Sequence, residues 1–457
     1  MKILKLKKYH LLLFLVIGLH LYLLTRLIFF PYPEQFLYSY LTQKGLIPYK
    51  QIFDQHFPGL MFFPINFATL GMNSPVEARI WQLLIVAISQ FLLFSVTRKL
   101  FKSYRLALLT NILYLFWQPF FEGYVLWIDS FMPLFLLSAF YFLINKKFKY
   151  GLFYCGLMLG ISIVFKQVTI PLVGLVYLYL LWINKNIRKT FSFVLGIAIP
   201  LIFLIFYITK LSVWRDFIYW TFTFNLTTFA KMGRKYPGFG DIIRVGPLFG
   251  LAGLLTLVGL VKKRNREIIL LAIFYFTSLL FAYARFDFVH LQPSLIFAVI
   301  LVIYFFRTVS KKYKLFLATF YILLSLYFLT PFYKTNISNR VLFFGNFEDI
   351  LSSEVLRYAK SGDSVFIMGT TPHIYQITGT IPSGRVFSFQ FPWFMIVGEK
   401  AIYNGIISDP PKVVIRDKNA SVQGMVLVDF MPDINRYVER YYKVVDEVEG
   451  TEIMIPN

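Results

Sequence analysis

The sequence predicts an α-helical protein that crosses a membrane about eleven times and carries a small α/β domain at its C-terminal end. Three observations predict it. Of 457 residues, 58% are hydrophobic and only 15% are charged, whereas soluble domains carry about 25% charged residues. The apolar residues up to Thr330 gather into eleven runs. Beyond Pro331 the composition turns ordinary, with 14 acidic and 12 basic residues.

The runs lie at 11–30, 76–97, 106–118, 124–143, 151–167, 168–183, 190–209, 242–261, 268–284, 293–306 and 315–330, and a run of about 20 apolar residues spans a bilayer. The first resembles a secretory signal in position only. Its apolar stretch is too long, and bulky Phe29, Phe30 and Tyr32 stand where small cleavage-site residues are needed. A retained anchor is expected.

Charge distribution tests the count. The net charge is +23, and segments 1–8, 98–105, 145–150, 184–189, 262–267 and 307–314 hold 22 Lys and Arg against the single acid Glu267. Eleven spans from a cytoplasmic N-terminus place all six on the side that basic loops favour. The C-terminal part is then extracytoplasmic, and the basic excess orients the chain rather than marking a nucleic-acid partner. One cysteine, Cys155, excludes an intrachain disulfide and a Cys-based zinc site.

The domains read as 1–330 in the membrane, with a long first outer loop at 31–73, and 331–457 outside it. In the latter, Asn346 to Lys360 and Phe430 to Val445 read as helices. Asp363 to Gly369, Lys412 to Arg416 and Thr451 to Pro456 read as strands.

Apart from Glu267, the acids before Thr330 fall near outer ends of spans or in outer loops: Glu34, Asp54, Glu77, Glu122, Asp129, Asp216, Asp241 and Asp287. Carboxylates near hydrocarbon usually have a partner or a task. In the first outer loop, Pro33 and Gly45 bracket a short helix whose apolar stripe Phe36, Leu37, Tyr40 and Leu41 suits a membrane surface. Glu34 stands in its first turn, where the helix dipole favours a carboxylate. The stretch 58–70 is too short to span and reads as a partly buried segment.

Three pieces of this loop, Glu34-Gln-Phe-Leu-Tyr38, Gly45-Leu-Ile-Pro-Tyr49 and Phe53-Asp54-Gln-His56-Phe-Pro58-Gly59, resemble the first outer loop of C-type membrane glycosyltransferases. The relatives are the protein-mannosyltransferase-like and aminoarabinose-transferase-like enzymes, which take a sugar from a polyprenyl-phosphate carrier at the outer membrane face. The resemblance implies a C-type architecture, a polyprenyl-phosphate-sugar donor and a bacterial plasma-membrane location. Sugar and acceptor stay unnamed. Two departures stand out: Pro33 replaces the first acid of the family's Asp-Glu pair, and His56-Phe57 replaces its Lys-Pro. Either Glu34 or Asp54 takes the role of base, or the chain has lost activity.

Further matches are Arg79, Lys166-Gln167, Arg285 with His290 and Pro293, Gly369 to Tyr375, and Asp409-Pro-Pro411. The resemblance implies that Lys166, Arg285 and His290 meet the carrier phosphate, with His56, Arg79 and Asp129 in support. In some members the His joins an acid on a metal ion; here those residues would be Asp54 and His290, leaving a divalent cation open. The chemistry agrees with the residue types. Glycosyl transfer needs a carboxylate for the acceptor's proton and cations for the charge growing on the leaving phosphate. Each assignment has a plainer rival: Lys166 snorkelling to the interface, Arg285 paired with Asp287, His290 as a hydrogen-bonded wall residue. A lipid-linked-sugar transporter and an inactive C-type scaffold are the competing functions.

Overall fold

The computed structural model describes residues 2–183, 187–262 and 265–457, so the basic segments 184–189 and 262–267 lie partly outside the described residues. The eleven apolar runs fall largely in helix, from Lys2–Arg26 for the first to Lys311–Asn336 for the last, though the first ends in extended backbone at 27–30 and the fourth begins in the short strand Val125–Leu126. Among the described residues, six helical stretches are long and apolar enough to cross a membrane: Lys8–Arg26, Pro75–Phe101, Thr190–Leu211, Phe239–Val261, Phe288–Thr308 and Lys311–Asn336. Ile128–Ile144, Gly151–Phe165 and Gln167–Ile183 are apolar but shorter.

The chain divides into two compact units. One comprises Met1–Phe30, Ala78–Leu204 and Lys235–Arg340; the other comprises Pro31–Glu77, Ile205–Arg234 and Val341–Asn457.

The first unit is built around helix Gln292–Thr308, which is buried without a break from Gln292 to Tyr304. A helix apolar all round needs neighbours on every side, and Tyr104–Gln118, Ile128–Ile144, Leu251–Lys262 and Arg266–Ser278 supply them. Helix Lys311–Asn336 is the opposite case, with Leu315, Phe316, Leu323 and Tyr327 exposed; such a surface belongs against lipid. Helices Gly151–Phe165 and Ile187–Leu211 touch backbone to backbone. A Cβ at Gly156 would strike the Phe193 carbonyl and one at Gly196 the Phe153 carbonyl, the close approach that small residues allow between membrane helices. Deeper in, His20, Gln90, Asn111 and Gln118 form a buried hydrogen-bonded chain, with His20 Nε2 3.0 Å from Gln118 Oε1 and Gln90 Nε2 2.9 Å from His20 Nδ1.

The second unit gathers the first outer loop, residues 205–234 and the C-terminal stretch, a grouping that no composition shift announces. Its five-stranded sheet runs in the order Tyr442–Val448, Thr451–Pro456, Val413–Arg416, Ser364–Met368, Ile381–Pro382. The last three are mutually parallel and the first two form an antiparallel hairpin. Strands Val413–Arg416 and Ser364–Met368 are buried almost throughout, as continuous apolar strands covered on both faces should be. Helix Asn346–Tyr358 begins where expected, with Glu348 accepting from the Gly345 N–H at 2.9 Å. Two expectations fail: Phe36, Leu37 and Leu41, whose stripe suits a membrane surface, are buried inside the unit, with Phe36 against Phe67 and Phe344, and one C-terminal helix is shorter than expected. The helix expected over 430–445 is only Pro432–Tyr441, and Tyr442–Val448 is strand. The β-rich Tyr442-Lys-Val-Val stretch pairs through a two-residue turn at Glu449 and Gly450, both at positive φ, the geometry of a tight hairpin.

Candidate active site

In the second unit the acidic cluster is assembled by a helix and a strand end. Pro33 opens helix Pro33–Gln43, its fixed φ suiting the first turn, and Glu34 follows on that turn. Tyr38 lies one turn further along the same face. Strand Ile52–Phe53 pairs in parallel with Phe387–Ser388, and the Phe387 N–H donates to the Gln51 carbonyl at 2.7 Å. Asp54 leaves the end of that strand with its side chain buried at 4% exposure.

Three donors hold the Asp54 carboxylate. The Tyr38 hydroxyl donates to Oδ2 at 2.7 Å. The His56 backbone N–H donates to Oδ1 at 2.7 Å, and His56 Nδ1 lies 2.9 Å from the same oxygen. The Tyr49 hydroxyl then donates to the His56 carbonyl at 2.9 Å. Tyr49 is fully buried at φ +65°, a left-handed conformation that costs a bulky residue energy and must be held by its surroundings. Here they are Phe62 and Phe217, packed edge-on against its ring. Residues 205–234 brace the loop from another direction: Phe53 stacks on Trp220 with ring centroids 4.9 Å apart. The Asn225 amide donates to the Gln55 carbonyl at 2.9 Å.

Glu34 is treated differently. Its Oε2 is out of solvent and has no hydrogen-bond partner. Burial, with the nearby Asp54 charge adding to it, pushes the Glu34 carboxyl up to about 7, against a smaller opposing pull from its own backbone N–H. Desolvation disfavours the charged form and a neighbouring carboxylate does the same. The result is a carboxyl poised to exchange a proton near neutral pH beside one that is locked in place.

The first unit holds a second cluster. Asp129 sits fully buried in the first turn of helix Ile128–Ile144. Lys166, where helix Gly151–Phe165 gives way to extended backbone, places Nζ 2.9 Å from Asp129 Oδ1 and 2.7 Å from Oδ2. His290 Nδ1 lies 2.9 Å from Asp129 Oδ2 and 3.3 Å from Lys166 Nζ. Lys166 therefore does not snorkel. Its charge is already met by Asp129, and it also rests over the Phe281 ring at 5.4 Å.

Nearby in sequence, Asp287 accepts from Lys235 Nζ at 2.6 Å and lies 3.3 Å from Arg285 Nε, two cations sharing one acid. The pairing of Arg285 with Asp287 is thus present, and Lys235 shares the same acid. Glu122, at φ +57° in the kinked turn Pro119–Gly123, accepts the Val289 N–H at 2.9 Å. Burial pushes its carboxyl up to about 7. Arg79 is elsewhere in role: its guanidinium bonds the Leu24 and Leu27 carbonyls and covers the Phe29 ring at 4.6 Å, tying off the first helix.

Neither donor set suits a divalent cation. A lysine ammonium stands within 3.3 Å of both the carboxylate and the imidazole in one cluster, where its charge opposes a metal's. In the other, Asp54 is occupied by three hydrogen-bond donors. Among the described residues no group of three or more His, Cys, Asp or Glu could hold a metal.

The tail residues that match the family act structurally. The Tyr375 hydroxyl spans strand Ser364–Met368, accepting from the Ile367 N–H at 3.1 Å and donating to the Val365 carbonyl at 3.3 Å. Asp409 accepts from the Gly384 N–H at 3.1 Å, and burial holds His373 down at about 4, neutral in the core. Sequence reasoning missed Tyr38, Tyr49 and Glu122 as partners of these clusters. Tyr38 left a signal in its position four residues after Glu34, Tyr49 in its place in the loop motif and Glu122 as an acid near hydrocarbon.

The comparisons with known proteins agree with this architecture. Over 97% of both chains, the structure matches the crystal structure of ArnT from Cupriavidus metallidurans bound to undecaprenyl phosphate, with a TM-score of 0.65 at 12% identity. The fold is that of the C-type membrane glycosyltransferases. The chain also matches the apo state of the same ArnT, again over 97% of each, with a TM-score of 0.60 at 12% identity. A mycobacterial arabinofuranosyltransferase, AftD, is matched over 97% of this chain and 41% of that one, with a TM-score of 0.50 at 11% identity. In sequence, the family described as dolichyl-phosphate-mannose-protein mannosyltransferase matches residues 55–209. No curated protein matches the chain. The resemblance drawn from the first outer loop therefore stands.

Proposed function

We propose that this integral membrane protein is a glycosyltransferase that moves a sugar from a polyprenyl-phosphate-linked donor to a lipid, glycan or protein acceptor. The reaction takes place at the outer face of a bacterial plasma membrane, with the N-terminus in the cytoplasm and residues 331–457 outside. One observation carries the reading: on a fold shared with an undecaprenyl-phosphate-bound transferase, a buried carboxyl with a free oxygen and a near-neutral pKa stands beside a fixed one.

In this reading Glu34 is the general base. An acceptor hydroxyl attacks the anomeric carbon, its proton passes to Glu34, and the bond from that carbon to the phosphate oxygen breaks as the polyprenyl phosphate leaves. Direct displacement inverts the anomeric centre. A base works best when its pKa lies near the working pH, and Glu34 meets that condition. Asp54, held from both oxygens, orients the loop and contributes fixed negative charge. In the other unit, Arg285 and Lys235 share one acid and are cations of the kind that stabilise a phosphate's charge. Lys166 and His290 act through Asp129.

The test supplies the purified protein in lipid nanodiscs with labelled undecaprenyl-phosphate sugar and a panel of acceptors. Wild type is expected to release free undecaprenyl phosphate and label an acceptor, and Glu34→Gln to do neither. Translocation of the donor across a vesicle membrane without release would make the protein a transporter instead. Donor binding with neither outcome would make it a scaffold.

A further inference from the structure

Away from both clusters, the first unit contains a cavity of about 330 Å³ lined by His10, Ser95, Arg98, Lys99, Lys102 and Tyr141. It lies at the basic ends of helices Lys2–Arg26, Pro75–Phe101 and Ile128–Ile144, on the face that the charge rule assigns to the cytoplasm. Its size falls within the roughly 300–1,000 Å³ of small-molecule sites. The three contributing segments, 1–10, 94–105 and 141–150, contain no acidic residue.

The cations are held apart from carboxylates rather than neutralised. Lys99 Nζ donates to Asn145 Oδ1 at 2.6 Å, and Arg98 donates to the Tyr104 hydroxyl at 2.8 Å with its guanidinium 5.3 Å from that ring's centroid. Both partners are neutral, so the positive charge survives. Lys102 ends the helix at φ +54° and is exposed. Two cations oriented by neutral groups and a third that is exposed, around one cavity, present an anion site.

What adjoins the cavity decides the source of the anion. Along two of the wall helices, Lys2–Arg26 and Pro75–Phe101, Leu11, Phe14 and Phe91 are exposed, and the Phe14 and Phe91 rings meet at 5.5 Å. The charged cavity is therefore continuous with an apolar surface of the membrane helices. A free phosphate has no use for that surface, while acyl chains do. The geometry points to a binding site for the headgroup of an anionic phospholipid, with Arg98, Lys99 and Lys102 on the phosphate, His10 and Tyr141 at its rim, and the acyl chains along Phe14 and Phe91. Basic pockets between membrane helices bind such headgroups.

Full-length protein purified in mild detergent and offered phosphatidylglycerol, cardiolipin or phosphatidylcholine would be read by native mass spectrometry. Retained phosphatidylglycerol or cardiolipin, without phosphatidylcholine, is expected. The variant Arg98→Gln/Lys102→Gln should lower retention by about tenfold or more, since each cation near the headgroup weakens binding several-fold when removed. Arg98→Lys/Lys102→Arg should restore it, and Lys311→Gln/Lys312→Gln, on another basic segment, should leave it intact. Should the double Gln variant not fold, Lys102→Gln alone carries the comparison with about a fivefold loss. Equal retention of phosphatidylcholine, or equal loss in the Lys311/Lys312 variant, would overturn the assignment. Displacement of the lipid by inorganic phosphate in millimolar excess would reassign the site to a free anion.

Discussion

The two buried acid clusters use the same residue chemistry for opposite ends. In the first unit, Asp129 meets Lys166 through both oxygens and His290 through one. In the second, Asp54 is as fully engaged, yet it stands near Glu34, whose Oε2 has no partner and whose carboxyl is raised to about 7. A saturated cluster stores its electrostatic energy in structure, because any proton or ligand entering must first break a paired charge. An unsaturated one carries a desolvation cost that taking up a proton, or a partner, relieves. Clustering of charged residues therefore does not by itself mark the reactive group. In the proposed reaction the candidate is the carboxyl whose Oε2 is left unpaired, that of Glu34.

The largest test of this contrast is Glu34→Gln. Loss of a general base lowers turnover by about 10²–10⁴-fold, measured as free undecaprenyl phosphate released per unit time, with thermal stability unchanged or improved. If turnover persists within tenfold, Asp54 and not Glu34 is the base.

Next in size is Asp129→Ala. It leaves Lys166 buried beside His290 without its counter-charge, and breaking such a pair costs about 3–5 kcal/mol. A sharp fall in the unfolding temperature of the detergent-solubilised protein is expected. A fall in activity alone, with the melting temperature retained, would move Asp129 into the chemistry.

Tyr38→Phe removes the donor to Asp54 Oδ2. A hydrogen bond to a charged group is worth about 1.5–3 kcal/mol, so turnover should fall by about tenfold or more while donor binding is kept.

The pH dependence sharpens the same point with a smaller effect. Transfer should rise with pH through a midpoint near 7, because Glu34 acts only after losing its proton. For stability the sign is reversed: the folded state holds the Glu34 proton up to about 7, against an ordinary value of 4.5. Wild type therefore loses stability as pH climbs from 4.5 through 7. Glu34→Gln should show no such loss, so the melting temperatures of the two proteins should diverge between pH 5 and pH 8.

The smallest effect is expected far from either cluster. Gly450 turns the C-terminal hairpin at φ +83°, and Gly450→Ala should cost about 1 kcal/mol without changing turnover. A change in activity there would mean that the hairpin bears on the reaction.

Much of this molecule is legible in its sequence. The apolar runs fall largely in helix, six stretches among the described residues being long and apolar enough to cross a membrane, because a membrane segment must satisfy its backbone internally and helix is the local way to do so. Helix Pro33–Gln43 and the strands Ser364–Met368, Val413–Arg416 and Thr451–Pro456 follow from proline and glycine punctuation and from short β-rich runs. The span 430–445 was misread because Tyr442–Val448 pairs with a strand downstream, a partner that local periodicity does not contain.

The site divides the same way. Residue types alone nominated Glu34, Asp54, Lys166, Arg285 and His290, since carboxylates and cations near hydrocarbon are too costly to be incidental. Which acid is locked and which is free depends on Tyr38, on the His56 backbone and on the strand pairing of Ile52–Phe53 with Phe387–Ser388. Those last residues lie more than 300 positions apart, and pairing at that range is fixed by packing. The sequence by itself determined a many-helix membrane protein, its charge asymmetry and where its few carboxylates and cations near hydrocarbon stand, because these follow from local composition and solvent. Tertiary structure alone decided the protonation of Glu34, the capture of Lys166 by Asp129 and the bracing of the first loop, because desolvation and hydrogen bonding are set by neighbours that the chain reaches only on folding.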